Sequence, residues 1–310
     1  MKKSRVLIIG GSGHVSGAMT RKCQEHGFDI TIITRGQRPV PAGVKAWIAD
    51  RNDETAMRKL LTVDHADAEF DAVIDCICYE PAAMRLDLEL LGLRTRQLLF
   101  ISTDFVFDST QRRFPQPEDA PYLADDVNGT QSYGFKKRQC ELLLLNQAPA
   151  SLDFAVFRPC HIYGMPSELG CFPAHCRDKE LIRKMQAGTT LELVDGGHFL
   201  QQPIEVNDLA ATVTGAVGAP GARRQFFNMA GPDIVESLEY YRIIARTLGV
   251  EVKFASIPLD EYLATNPVAK PFFCHRIYTH DKLRQAGLPL PATALADGLA
   301  RHTQAKLALM

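Results

Sequence analysis

The chain has 310 residues, 46% of them hydrophobic and 23% charged, and its 35 Lys+Arg against 36 Asp+Glu give a formal net charge of -1. That is enough apolar material for a sizeable core, which excludes extensive disorder. A balanced charge provides no global field for a nucleic-acid backbone or an anionic membrane, so neither partner is expected.

The longest apolar stretches, such as residues 142–145 and 154–157, fall far short of the roughly 20 residues a spanning helix needs. Met1-Lys2-Lys3 and the apolar run at 6–9 superficially resemble a secretory signal, but the run breaks at Gly10 and reads better as a buried strand. Eight cysteines are dilute in this length, and several sit in apolar runs, which fits reduced, buried thiols in a cytoplasmic protein. Cys171, His175 and Cys176 lack a second ligand pair at zinc spacing, so no metal is expected.

In chain order, the pattern alternates short apolar strands with helices. Strands are expected at 6–9, 30–33, 44–49, 72–75, 97–102 and 154–158. Helices are expected at 15–25, 53–61 with Asp53 as N-cap, 81–91 opened by Pro81, and 133–145, the last after a polar loop over 108–131. This alternation is what a parallel sheet covered on both faces demands, so the fold class is α/β, a doubly wound Rossmann-type sheet. Beyond Pro159 the pattern loosens, with helices expected at 177–187, 206–217, 237–248 and 293–306 and strands at 226–229 and 250–254. The expected division is a dinucleotide-binding domain of 1–165 with about 201–230, and a smaller, partly interleaved substrate lobe of about 166–200 with 231–310. No Gly/Ser-rich linker separates them.

Gly10-Gly11-Ser12-Gly13-His14-Val15 directly follows the first strand and opens the first helix. Glycines permit a sharp turn and close approach of a pyrophosphate, and the helix start supplies free N–H groups for the anion. Ser16 stands where a third glycine is usual, small enough for close packing. After the second strand comes Thr34-Arg35-Gly36, with Arg38 just beyond, where an acid would hold a ribose hydroxyl of NAD. A guanidinium there suits a 2′-phosphate, so NADP(H) is favoured and NAD(H) stays open. Asp50 and Arg51, after the third strand, and Cys76, after the fourth, are further cofactor candidates, and Asp50 reads equally as a helix cap.

Tyr133 and Lys137 lie four residues apart, one helical turn, on the same face. The lysine charge is expected to lower the phenol pKa, readying it to exchange a proton with a carbinol or carbonyl oxygen while hydride moves. Thr103 follows the fifth strand and would present its hydroxyl at the same crevice.

The glycine turn, Thr103, the Tyr133/Lys137 pair and Arg158-Pro159-Cys160-His161-Ile162-Tyr163-Gly164 resemble an extended short-chain dehydrogenase/reductase of the NAD-dependent epimerase/dehydratase family. The resemblance covers nearly the whole chain, including 202–210 and 278–299. It implies Tyr133 as general acid/base, Lys137 as its modulator, Thr103 hydrogen-bonded to the reacting oxygen, and Pro159 and His161 beside the nicotinamide. Phe105 stands where the family's dehydratases use a glutamate, so dehydration is not expected. Residues 102–108 look more like dTDP-4-dehydrorhamnose reductase, and the glycine turn more like an atypical branch with plastid RNA-binding members.

The expected activity is hydride transfer at a carbinol or ketone of a sugar or nucleotide sugar, with net epimerisation placed first and an NADPH-dependent keto-sugar reductase next. A reading from another class is a non-catalytic cofactor- or RNA-binding relative. Asp104, His198, Gln201 and Arg276 are the substrate candidates, with Arg177, Arg183 and Lys184 among other polar groups of that region. A homodimer is a family expectation.

Overall fold

The structure, a computed structural model, describes residues 3–119, 132–171 and 174–310; part of the loop expected over 108–131 therefore lies outside the described residues. The first half builds β1 (Arg5–Ile9), β2 (Asp29–Thr34), β3 (Lys45–Ile48), β4 (Ala72–Asp75), β5 (Gln97–Ile101) and β6 (Asp153–Pro159). Between them run α1 (His14–Glu25), α2 (Glu54–Lys59), α3 (Pro81–Leu91) and α4 (Tyr133–Gln147). The second half adds the two-residue strand β7 (Ile162–Tyr163), then α5 (Leu181–Gln186), β8 (Leu191–Val194), β9 (Leu200–Gln201), β10 (Ile204–Glu205) and α6 (Val206–Gly215). It ends with β11 (Gln225–Met229), β12 (Val235–Glu236), α7 (Ser237–Leu248), β13 (Phe254–Ile257), α8 (Leu259–Thr265), α9 (Asp281–Gln285) and α10 (Leu295–Leu307).

Seven parallel strands form the central sheet in the order β11-β6-β5-β4-β1-β2-β3. Their continuous apolar runs are explained by burial on both faces. Within β1, Val6 and Ile8 join the core shared with α1 and α6, whereas Leu7 and Ile9 join the core shared with α2, α3 and α4. Strand order reverses between β1 and β4, where Ile9 pairs with Asp75. That reversal opens a crevice beyond the carboxyl ends of the strands, the usual ligand position in such sheets. A third core gathers Tyr163, Leu181, Met185, Leu193, Tyr240, Ile244 and Leu299 from the second half. Three small sheets complete the second half: parallel β7–β10, antiparallel β9–β12 and parallel β8–β13.

The expected helices at 81–91 and 237–248 match α3 and α7, and the Asp53 side chain caps α2 by accepting from Ala56 N at 2.9 Å. Two elements differ. The helix expected over 177–187 begins only at Leu181, because Arg177 adopts φ 54° and cannot continue a right-handed helix. The strand expected at 250–254 lies instead at 254–257. The Val250 N–H is spent on Ala245 O at 3.1 Å, closing α7 behind the left-handed Gly249 (φ 68°).

Candidate active site

Two adjoining cavities of about 330 and 580 Å³ run along the crevice and share Gly13, Ser16, Ile77 and Tyr79 as walls. Their floor is made of residues that directly follow strands: Gly10 after β1, Cys76 after β4, Ser102 and Thr103 after β5, and Cys160 and His161 after β6.

The turn between β1 and α1 needs its first two glycines for the fold itself. Gly10 and Gly11 have φ 115° and 78°, and a Cβ on Gly11 would lie 2.6 Å from that of Ile32. The glycines thus let the turn sit down on β2, rather than only clearing room for a ligand. Gly13 caps α1 without a side chain, its N–H donating to Ser16 Oγ at 2.9 Å, and the first turn contains no acid. The remaining first-turn N–H groups and the positive end of the helix face the crevice free for an anion. Ser16 is buried in the third-glycine position.

The smaller cavity is lined by Arg35, Arg38, Asp50 and Arg51. Arg35 is exposed, and Arg38 reaches back over the turn to donate to Ser12 O at 2.9 Å. Asp50 Oδ1 accepts from Asn52 N at 2.9 Å, so it serves the following turn as well as the cavity wall. Arg51 corrects the expectation of a cofactor contact by its guanidinium. Its Nη2 is buried against Asp75 at 3.0 Å, Asp87 at 2.5 Å and Ala83 O at 2.9 Å. Burial pushes the Asp87 carboxyl up despite that neighbour. Asp75, Cys78 and Asp87 are the one described group with ligand atoms close enough for a metal, and the Arg51 cation already sits on its carboxylates.

The larger cavity holds Thr103, Tyr133 and Lys137 together. Ser132 caps α4 by accepting from Phe135 N at 3.3 Å, which sets Tyr133 and Lys137 on the first two turns. Lys137 is buried, and its ammonium donates to Cys78 O and Ile101 O, each at 2.8 Å, at the ends of two neighbouring strands. The same nitrogen lies 4.8 Å from the ring centre of Tyr79 and 6.0 Å from that of Tyr133. Thr103 Oγ1 accepts from Phe105 N at 3.3 Å and is close enough to the Tyr133 phenol to favour its charged form.

The phenol is not held below its ordinary value as expected. Tyr133 is 46% exposed as a residue; burial of part of it and the nearby Tyr79 phenol raise its pKa, while Thr103 opposes them. Lys137 is itself pushed down by burial, and its charge is spent on two carbonyls beneath the ring.

His14, Pro159, His161, Cys176, Arg177, Phe105 and Phe272 line the same cavity. Burial first, then the Arg177 charge, lowers His14 to about 4 and His161 to about 3, so both imidazoles stay neutral in ordinary buffers.

The four substrate candidates do not line either cavity. Asp104 and Arg276 meet each other instead: Arg276 Nη1 and the Tyr278 hydroxyl each donate to Asp104 Oδ2 at 2.6 Å in the interior. Two charges withdrawn from water stabilise one another better than either could serve a solvent-filled pocket. Gln201 is buried with its carboxyl-side neighbour Gln202 among backbone groups, and exposed His198 pairs with Glu236 at 3.1 Å.

Comparison with known proteins bears on the whole arrangement. The profile of the NAD dependent epimerase/dehydratase family matches residues 6–230. The chain belongs to that family. A curated relative, 2'-dehydrokanamycin reductase of Streptomyces kanamyceticus, is 24% identical over 83% of this chain and 70% of its own. Another, chloroplast stem-loop binding protein of 41 kDa b from Arabidopsis thaliana, is 23% identical over 75% of this chain and 60% of its own. UDP-N-acetylglucosamine 4-epimerase from Methanobrevibacter ruminantium, solved with UDP-N-acetylmuramic acid, superposes over both full chains with TM-score 0.78 at 16% identity. UDP-glucose 4-epimerase from Thermotoga maritima gives 0.76 at 16% identity, covering 99% of this chain and 100% of its own.

As a member of the NAD-dependent epimerase/dehydratase family, the chain implies a bound dinucleotide, and its residues fit one. The crevice joins a helix start with free N–H groups to one cavity lined by Arg35 and Arg38 and to another lined by Thr103, Tyr133 and Lys137. Sequence reasoning missed Glu141, one turn beyond Lys137. Its carboxylate accepts from Arg158 Nε at 3.0 Å, Arg158 Nη2 at 2.8 Å and Ser102 Oγ at 2.6 Å, all buried, and so clamps α4 to the ends of β5 and β6. Tyr79 and Phe272 were also missed; no spacing signal marks either.

Proposed function

We propose that this protein is an NADP(H)-dependent enzyme that transfers hydride at a carbinol or ketone carbon of a sugar or nucleotide sugar. The observation that carries the reading is the convergence of Thr103, Tyr133 and Lys137 on one cavity contiguous with the glycine turn.

A nicotinamide supplies the hydride donor or acceptor. Thr103 and Tyr133 hold the reacting oxygen between two hydroxyls. A phenol that keeps its proton suits donation to the oxyanion as a ketone is reduced. Lys137 keeps one ammonium N–H beyond its two carbonyl partners, available to a ribose hydroxyl. Pro159 and His161 wall off the hydride path from water, and His161 does so as a neutral group.

The family likeness puts net epimerisation first. We place net reduction ahead, because Arg35 and Arg38 line the adenosine end without an acid to take a ribose 2′-hydroxyl from the second strand, and because the reductase relative spans most of the chain. Epimerisation is the second reading, supported by the family and by the epimerase folds. Tyr133→Phe tests the mechanism: NADPH should bind within about twofold of the parent while turnover falls about 10²–10⁴-fold. Full activity in this variant would remove the phenol from the reaction. Retention of a dinucleotide through purification, with turnover needing none added, would favour epimerisation.

A further inference from the structure

We infer that the substrate presents a hydrocarbon group, a methylene or a methyl, beside its reacting carbon, and that Phe105 and Phe272 select it over a hydroxyl-bearing one. The inference deepens the hydride-transfer reading and rests on it. Both rings line the larger cavity with Thr103, Tyr133 and Lys137, and neither lines the smaller one. They come from opposite halves of the chain. Phe105 belongs to the one-turn helix Asp104–Val106, and Phe272 ends the short helix Pro267–Phe272.

The placement of Phe105 is tied to that of the reacting oxygen. Thr103, which serves that oxygen, also caps the turn that carries the ring, its Oγ1 accepting from Phe105 N at 3.3 Å. Asp104, between them in sequence, is held in the interior by Arg276 and Tyr278. The guanidinium carbon of buried Arg276 lies 4.2 Å from the Phe105 ring centre, a cation–π contact that fixes the ring from beneath the surface. Phe272 meets Phe105 edge-on, with 5.1 Å between centres and 90° between planes, and Tyr133 meets it at 6.4 Å and 71°. An aromatic surface therefore stands next to the proton donor, and both halves of the chain build it.

The remainder of the lining lacks what a hydroxylated carbon needs. Among the described residues, no Asp, Glu, Asn or Gln lines this cavity, so no carboxylate or side-chain amide is present to pair two adjacent hydroxyls. Ser102 Oγ donates to Glu141 at 2.6 Å, Ser16 Oγ accepts from Gly13 N at 2.9 Å, and Lys137 is engaged by two carbonyls. Thr103 and Tyr133 answer the one oxygen that the reaction requires. A second hydroxyl pressed against Phe105 and Phe272 would leave water without a replacement partner from either ring. A methylene or methyl there instead covers the surface of two half-buried rings.

The test uses the full chain loaded with NADPH, so that bound alcohols cannot be oxidised, and titrates it calorimetrically with two pairs of probes. Cyclohexanol is set against trans-cyclohexane-1,2-diol, and methyl α-D-fucoside against methyl α-D-galactoside; within each pair the members differ by one hydroxyl. The parent should bind the less hydroxylated member of at least one pair tenfold or more tightly. Phe105→Thr should bring that ratio below about threefold, and Phe272→Ser, on a different element, should do the same, whereas Phe272→Leu should keep most of it. All three variants should bind NADPH within about twofold of the parent. Ratios near one in both pairs, or no binding of any of the four probes, overturn this inference alone. So does a ratio unchanged in both Phe105→Thr and Phe272→Ser, which would take the selection away from these rings. A parent that binds neither NADPH nor NADH overturns the hydride-transfer reading and this inference with it.

Discussion

Removing the Glu141 carboxylate should loosen the helix that carries both Tyr133 and Lys137. In Glu141→Ala, Arg158 loses both of its bonds to that carboxylate, and Ser102 loses its acceptor. Breaking a buried pair by deleting one partner costs about 3–5 kcal/mol, since the other charge is left uncompensated. With an unfolding entropy of about 2.1 cal/mol/K per residue, a chain of 310 residues loses about 1.5 °C of Tm per kcal/mol, so the expected fall is about 5–8 °C. Glu141→Gln, which retains one acceptor, should fall less. Thermal unfolding followed by circular dichroism reads both. A loss under about 2 °C in the alanine variant would mean that the clamp carries little energy and that other contacts fix α4.

Arg35→Ala should weaken NADPH about tenfold or more while leaving NADH within about twofold, measured by titration of each coenzyme; equal losses would deny a 2′-phosphate contact. Gly11→Ala should cost at least about 1–3 kcal/mol in urea unfolding, because φ 78° and the 2.6 Å approach to Ile32 both resist a Cβ. His161 has a pKa lowered to about 3 from 6.5, so below about pH 6.5 the unfolded chain takes up a proton that the folded chain refuses. Its contribution to stability is therefore full above that pH and is lost as pH falls towards 3, about 2 kcal/mol between pH 7 and pH 5. His161→Asn should flatten the urea midpoint against pH in that window, and parallel curves for the two proteins would refute the assignment.

Periodicity made the central sheet readable because each of its inner strands is short, apolar and buried on both faces, so composition alone announces it. The glycine turn and the Tyr133/Lys137 spacing were readable for a similar reason: each is a local pattern whose meaning lies within a few residues. What stayed hidden was long-range or conformational. Arg276 lies 172 residues beyond Asp104, and in a sequence both look like solvated charges suited to a ligand. Glu141 looks like the polar face of a helix until Arg158 and Ser102 arrive from two strands. The late start of α5 follows from one positive φ, which no residue type at 177 announces. The phenol pKa followed burial and Tyr79 more than the lysine, because spacing along a helix says nothing of where an ammonium spends its hydrogen bonds.

The junction of Asp104 with Arg276 and Tyr278 also limits how this scaffold can be recombined. The family profile stops at residue 230, yet the tail beyond it delivers the counter-charge for an acid embedded next to the reaction chamber. A chimera that borrowed its last eighty or so residues from a cousin lacking that arginine would strand a bare carboxylate behind Thr103. Transplanting new specificity onto this frame therefore requires moving the acid and its distant partners as one unit.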